Sequence, residues 1–285
     1  MGAGSRVMQA VLLAAGKGSR LHPLTSVVPK PLVQVAGKPI IEYLMDSLNV
    51  EEYIIVIGHL GEQIQQYYGE NYAGTPIRYV TQHELNGTAG ALKVALPFLR
   101  SNFLVLNTDD LYAPRDIQQL CEQPSILVKN VDDVRSYAEI ILDDGVPSKI
   151  VEKPVNPVSN LANIGAYHFP LRAVDFVERV PLSIRGEYEI TDVVQMCFDR
   201  KLLSYTVATF WQPVGTVDQL FQAHKVMKAL PYIAPTSKVA SHGDNVIVYD
   251  DCDVRGHIDN CIVSPMTILE PEDLHADTVI YKNDE

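Results

Sequence analysis

Short apolar runs and helical periodicities alternate along residues 8–227. Residues 8–13 read as a buried strand, and Ile41, Leu44, Met45 and Leu48 recur at the i, i+3, i+4, i+7 spacing of a helix face. A strand at 53–57, a helix over 61–68, a strand at 77–80 and a helix opened by Thr88 as N-cap continue the alternation. Residues 103–107 form a central strand that ends at Asp109 and Asp110. Such alternation predicts stacked βα units around a mostly parallel sheet. Past Asp110 the pattern turns strand-rich, at 125–129, 137–142, 148–151 and 163–169, with Asp143-Asp144-Gly145 as a turn. Helical patterns return over 171–179, 190–198 and 217–227.

Beyond Pro231 helix formers give way to Asp/Asn/Gly turns and isolated β-branched residues. Val246, Cys252 and Ile258 recur every six residues with Val248 and Val254 in step, which fits two or three rungs of a parallel β-helix of the left-handed hexapeptide type. An irregular β extension with chance spacing is the alternative. So few rungs bury little core of their own, so the tail is expected to pack on the main domain or on another subunit. The chain is therefore read as one large α/β domain over 8–230 and a small β extension over 235–285.

The 285 residues are 47% hydrophobic and 20% charged, the composition of an ordinary globular protein. The formal charge of −12 argues against nucleic acid or an anionic membrane as partner. An anionic small ligand then requires a local cationic pocket. Cys121, Cys197, Cys252 and Cys261 form no CxxC pair, which favours reduced thiols and a cytoplasmic location. The apolar stretch 11–15 is too short for a secretory signal, and no run reaches the roughly 20 residues of a membrane span. Residues 1–7 show no periodicity and are left out of the fold reading.

The first strand runs into Leu13-Ala14-Ala15-Gly16-Lys17-Gly18-Ser19-Arg20-Leu21, a glycine-rich turn whose backbone N–H groups suit phosphate. A dinucleotide fingerprint would want glycine where Leu21 stands, and Gly37-Lys38 runs into Pro39, so neither common phosphate loop is present. Pro29-Lys30-Pro31-Leu32 adds a second cation on a proline-stiffened loop. Two fixed cations and open backbone donors are what a triphosphate requires.

The whole string resembles the G-x-G-x-R-L-x-P-L-T and P-K-P-L signature of the sugar-1-phosphate nucleotidylyltransferases, with glucose-1-phosphate thymidylyltransferases nearest in appearance. That resemblance implies a Rossmann-like three-layer α/β sandwich with a mostly parallel mixed sheet, the nucleotide-diphospho-sugar transferase fold. It also implies residue roles. Leu13, Ala14, Ala15, Gly16, Gly18, Gln82, Gly87 and Thr88 take nucleotide-binding positions, and Gly87-Thr88-Ala89-Gly90-Ala91-Leu92 resembles the base-reading segment. Asp109, in Asn107-Thr108-Asp109-Asp110, takes the Mg²⁺ position, with Thr108 where the family usually has glycine. Tyr137, Glu152, Lys153, Asn163, Gly165 and Glu187 take sugar-phosphate positions. One departure stands out: in Trp211-Gln212-Pro213-Val214-Gly215-Thr216, proline replaces the aspartate of the second Mg²⁺ ligand.

The implied reaction joins a nucleoside triphosphate to a sugar 1-phosphate and releases pyrophosphate. Arg20 would grip the pyrophosphate, Lys30 the α-phosphate and Lys153 the incoming sugar phosphate, while Glu152 and Glu187 would read sugar hydroxyls. A pyrimidine triphosphate (dTTP or UTP) with glucose 1-phosphate is the first expectation, and a guanylyltransferase acting on mannose 1-phosphate is the alternative. Pro213 motivates a reading of another class, a catalytically weak regulatory homologue that binds nucleotide sugar. A homo-oligomer is expected in either case.

Overall fold

The structure, a computed structural model, describes residues 8–270, 275, 276 and 278–280. Residues 1–7 lie outside that set. The chain forms two compact units, neither continuous in sequence: residues 1–16 with 43–211, and 17–42 with 212–285.

The first unit is built on a mixed sheet. Its centre is the strand Gln9–Ala14, paired in parallel with Glu52–Ile57 on one side and Phe103–Asn107 on the other. Thr75–Thr81 extends the parallel set beyond Glu52–Ile57. Strands covered on both faces need apolar residues at successive positions, and Ile54, Ile55, Val56, Leu104, Val105 and Leu106 are all fully buried. Leu161–Phe169 then pairs antiparallel with Phe103–Asn107, and Ser125–Asn130 pairs antiparallel with Leu161–Phe169. Ala138–Asp143 and Val146–Glu152 form a hairpin closed by Asp144 (φ 48°) and Gly145 (φ 78°), the two positive-φ positions a tight hairpin turn demands.

Helices Thr88–Ala95, Val174–Arg179 and Ile190–Phe198 contribute Leu92, Val177, Val193, Val194 and Cys197 to one core with Val11, Val56, Val105, Ile126 and Tyr167 of the sheet. The expected N-cap at Thr88 needs correction. Gly87 occupies that position at φ 106°, and the Thr88 hydroxyl instead accepts from the Ile190 N–H at 3.0 Å. The helix Pro114–Leu120, unforeseen in the hydrophobic pattern, buries Asp116, whose carboxylate accepts from the backbone N–H groups of Thr209 (2.7 Å) and Phe210 (3.1 Å).

The second unit carries the tail. Val246–Val248 pairs in parallel with Cys261–Val263, fifteen positions on, and Lys238 with Asp253 at the same step. Val246, Val248, Cys252, Val254 and Ile258 share one buried cluster with Cys261, Val263 and Leu269. The six-residue spacing therefore marks steps from face to face within a coil. The coils themselves stack at fifteen to seventeen residues, from Val246 to Cys261 and from Ile262 to Val279. This is a β-helix-like extension, as the spacing predicts.

Candidate active site

In open α/β sheets, ligands bind beyond the carboxyl ends of parallel strands. In the first unit three such ends carry residues expected in the site. Leu13 and Ala14 close the first strand, followed by Ala15 and Gly16; Gln82 follows Thr75–Thr81; Asn107 closes Phe103–Asn107 and leads to Asp109. The Ala15 carbonyl accepts from His59 N–H at 3.2 Å, and a Cβ on Gly58 would come within 2.8 Å of that oxygen, so these loops lie closely against each other. Thr108 is 3% exposed, and its hydroxyl donates to the Leu13 carbonyl at 2.8 Å. The threonine thus ties the strand end that carries Asp109 to the strand end that opens the glycine-rich turn.

The two segments expected to read the base and the sugar, around Gly87 and Glu187, are joined by backbone. Tyr188 N–H donates to the Asn86 carbonyl at 2.8 Å, and Ala89 N–H donates to the Tyr188 carbonyl at 2.9 Å. Gly87 makes this strap possible, because a Cβ there would lie 2.8 Å from the Tyr188 nitrogen and collide with the Tyr188 carbonyl oxygen. Lys93 sits 4.3 Å above the Tyr188 ring, which adds a cation–π contact to the same junction.

Glu152 and Glu187 are brought together by a residue the sequence reading passed over. Arg185 contacts Glu152 at 3.2 Å, Glu187 at 3.3 Å and Glu189 at 3.3 Å. Burial raises the Glu189 carboxyl above its ordinary pKa; Arg185 opposes that rise, and the neighbouring carboxylates Glu152 and Glu187 reinforce it. The Arg-Gly-Glu-x-Glu run carried a signal, since one cation amid several carboxylates implies a shared pairing. Lys153 is exposed with φ 46°, and its N–H donates to the Tyr137 carbonyl at 2.9 Å. The Tyr137 ring packs edge-on against Trp211 at 5.1 Å, and the Trp211 indole N–H donates to Asp110 at 3.0 Å. On the strand Leu161–Phe169, Gly165 (φ 75°) leaves room for the Asn107 side chain. The Asn163 amide donates to the Tyr167 hydroxyl at 2.8 Å, and its buried Oδ1 meets no donor among the described residues.

In the second unit, Gly18 stands at φ 64°, and a Cβ there would also press on Thr25 Cγ2 at 3.0 Å and Lys30 Cβ at 3.2 Å, two reasons for glycine at this position. Thr25, fully buried, donates its hydroxyl to the Gly18 carbonyl at 2.8 Å, so residues 18–30 close on themselves with Lys30 buried beside them. Arg20 is exposed and lies along Gly215, where a Cβ would come within 3.0 Å of its guanidinium. Gly215 is held in turn by its N–H donating to Gln219 Oε1 at 2.8 Å, and Thr216 caps the helix Val217–Val226 by accepting from Gln219 N–H.

The fit of Mg²⁺ to these residues rests on donor chemistry. Asp109 offers the hard carboxylate oxygen that Mg²⁺ takes. Asp110 beside it is engaged by the Trp211 indole, and no group of three His, Cys, Asp or Glu placed to hold a metal ion occurs among the described residues. A Mg²⁺ here fits as an ion held by one carboxylate together with phosphate oxygens and water. It does not fit an all-protein cage.

Comparison with known proteins agrees with this architecture. Residues 9–229 match the family model described as nucleotidyl transferase. The Bifunctional protein GlmU of Methanocaldococcus jannaschii is 31% identical over 224 residues, 77% of this chain and 54% of the relative. The chain thus spans about half the length of the GlmU relatives it matches. The UTP–glucose-1-phosphate uridylyltransferase AglF of Haloferax volcanii is 35% identical over 201 residues, 66% of this chain and 83% of the relative. Among solved structures, a Bacillus anthracis protein assigned as a glucose-1-phosphate thymidylyltransferase, in complex with sucrose, superposes with a TM-score of 0.70 at 26% identity, over 80% of this chain and 98% of that one.

Proposed function

Since the chain belongs to the nucleotidyl transferase family, we propose that it transfers a nucleotidyl group from a nucleoside triphosphate to a sugar 1-phosphate, with UTP or dTTP and glucose 1-phosphate as the pair. The observation that supports this reading is the strap between residues 86–89 and 188–190, the segments we assign to base and sugar. The relative AglF, a UTP–glucose-1-phosphate uridylyltransferase, supports the choice of pair. The same reading takes residues 8–230 as the transferase domain and 235–285 as an appended β extension, in a cytoplasmic homo-oligomer.

A phosphate oxygen of the sugar 1-phosphate attacks the α-phosphorus in line, the bond to the β-phosphate oxygen breaks, and pyrophosphate leaves with that electron pair. The attacking group is already an anion, so positioning and charge neutralisation carry the rate. We assign Arg20 to the departing pyrophosphate, Lys30 to the charge at the α-phosphate, and Lys153 to the incoming phosphate. Leu13–Gly16 and Gly18 offer backbone to the phosphates, and Gln82, Gly87 and Thr88 hold the base. Glu152 and Glu187 read sugar hydroxyls, with Tyr137, Asn163 and Gly165 shaping their pocket. Mg²⁺, when bound through Asp109, supplies further neutralisation of phosphate charge.

A screen of pyrophosphate release across nucleoside triphosphates and sugar 1-phosphates with Mg²⁺ tests the proposal. UTP or dTTP with glucose 1-phosphate is the expected pair, and Lys30→Ala or Asp109→Ala should lower its turnover at least about 100-fold. Near-normal turnover in both variants rejects the assigned roles. Pro213 favours one other reading, a regulatory homologue. Binding of nucleotide sugar with no release from any pair would establish it.

A further inference from the structure

Gln82 is 6% exposed, and its backbone N–H donates to the Ile57 carbonyl at 2.8 Å. Its side-chain amide is oriented by two neighbours. One terminal atom lies 3.2 Å from the Gly87 carbonyl oxygen and 3.2 Å from the side-chain oxygen of Asn86. A backbone carbonyl can only accept, so the Gln82 atom facing it is the NH₂ group. The same reasoning makes the Asn86 atom its oxygen. Both N–H bonds of the Gln82 amide are therefore used inside its own loop. Oε1 is turned to the other side and meets no donor among the described residues.

Asn86 holds this place only because residue 90 is glycine. A Cβ at Gly90 would overlap the Asn86 side-chain oxygen, lie 2.9 Å from its Cγ and approach Gln82 Nε2 at 3.4 Å. Alanine is the better helix former, so glycine inside the helix Thr88–Ala95 gives up helix propensity for that space.

We propose that Asn86, seated over Gly90, is a positioning residue that fixes the Gln82 amide with its acceptor toward the base. The site then selects triphosphates whose base presents a ring N–H and rejects those presenting a ring-nitrogen lone pair. The inference rests on the reading of Gln82 and Gly87 as base-binding. Uracil and thymine carry N3–H and guanine carries N1–H, whereas N3 of cytosine and N1 of adenine are acceptors. Two lone pairs facing each other in a nearly buried site leave both unsatisfied, and a site built to accept one hydrogen bond discriminates strongly on that ground.

Isothermal titration of the full chain with UTP, CTP and N3-methyl-UTP, in Mg²⁺ and without sugar phosphate, tests this. UTP should bind at least about 30-fold more tightly than either of the others, the scale of one buried acceptor left unpaired. Asn86→Ala should reduce the UTP-to-CTP affinity ratio about five-fold. Asn86→Asp still offers an acceptor and should restore the ratio. Gly90→Ala, which displaces the Asn86 amide, should lower it as Asn86→Ala does. A merely structural role for Asn86 would weaken both nucleotides alike. Equal binding of UTP and CTP by the native chain, or an unchanged ratio in both Asn86→Ala and Gly90→Ala, overturns the inference. Selective UTP binding without pyrophosphate release from any acceptor would sink the proposed reaction and leave the inference standing; turnover with no base preference would do the reverse.

Discussion

Gly87→Ala is the most direct test of the strap between the two reading segments. Gly87 stands at φ 106°, where an L side chain is strained by about 1–3 kcal/mol. Relaxation in place is blocked, since the new Cβ would lie 2.8 Å from the Tyr188 nitrogen and collide with the Tyr188 carbonyl. The loop would have to open. Opening removes Tyr188 N–H to Asn86 O, Ala89 N–H to Tyr188 O and Ile190 N–H to the Thr88 hydroxyl, each worth about 1 kcal/mol net. Opening relieves the strain but gives up the three bonds, which sets the scale at roughly 3 kcal/mol, rehydration of the loop already counted.

The kinetic signature is more telling than the stability loss. If Gly87 mattered only for letting a base lie close, its substitution would raise the KM for the triphosphate alone. The strap predicts that the KM for the sugar phosphate rises too and that kcat falls, because Glu187 is carried by the same junction and small misplacements cost about 100-fold. Pyrophosphate-release kinetics against each substrate, with urea unfolding in parallel, measure both. A Gly87→Ala enzyme within 0.5 kcal/mol of native stability, on the scale of an ordinary surface substitution, and within about two-fold in both KM values would refute the coupling.

Arg185→Gln should raise the KM for sugar phosphate about ten-fold, since it leaves three carboxylates unneutralised around an incoming anion, while unfolding free energy changes by less than about 1 kcal/mol because the arginine side chain is 35% exposed. An unchanged KM would remove it from the site. Asp116→Ala should destabilise by about 3 kcal/mol in urea titrations, because two backbone N–H groups and the Thr209 hydroxyl lose their buried acceptor; a loss under 1 kcal/mol would contradict that accounting. His224 is held neutral by burial, which lowers its pKa below 6.5. The unfolded chain then takes up a proton the folded one resists, so stability present above pH 6.5 is lost as pH falls below it. His224→Asn should flatten the slope of melting temperature between about pH 6.5 and 5.5, the range in which an unperturbed histidine titrates, and an identical slope in the variant would assign it elsewhere.

Much of the fold was legible because its parallel strands are covered on both faces and so read as continuous apolar runs. The Asp144-Gly145 turn was legible for another local reason, the two positive-φ positions it supplies. The helix Pro114–Leu120 escaped notice because its seven residues show little periodicity; Pro114 at its first turn was the available signal. The cap at Thr88 was misread because the choice between Gly87 and Thr88 depends on a partner about a hundred residues away, Tyr188, which no local pattern reveals. Motif resemblance located the candidate site residues. It did not reveal Arg185 or Asn86, whose importance lies in what they touch.

The tail acquires a different meaning from its contacts with Gln34, four residues past Lys30. The Gln34 carbonyl accepts from the Tyr249 hydroxyl at 3.0 Å and lies 3.3 Å from His224 Nε2. Its side chain receives the Tyr232 hydroxyl at 3.2 Å and donates to Asp250 at 3.0 Å. Tyr232, Tyr249 and Asp250 all belong to the tail coils and the turn entering them. Residues 17–42 therefore share a compact unit with 212–285 for a physical reason: the segment that follows the signature cations is anchored by side chains from the far end of the chain. A short β-helix with too little core for independence gains a fixed partner in that segment, and the Lys30 loop gains a support that its own 3₁₀ turns, three residues each, do not provide.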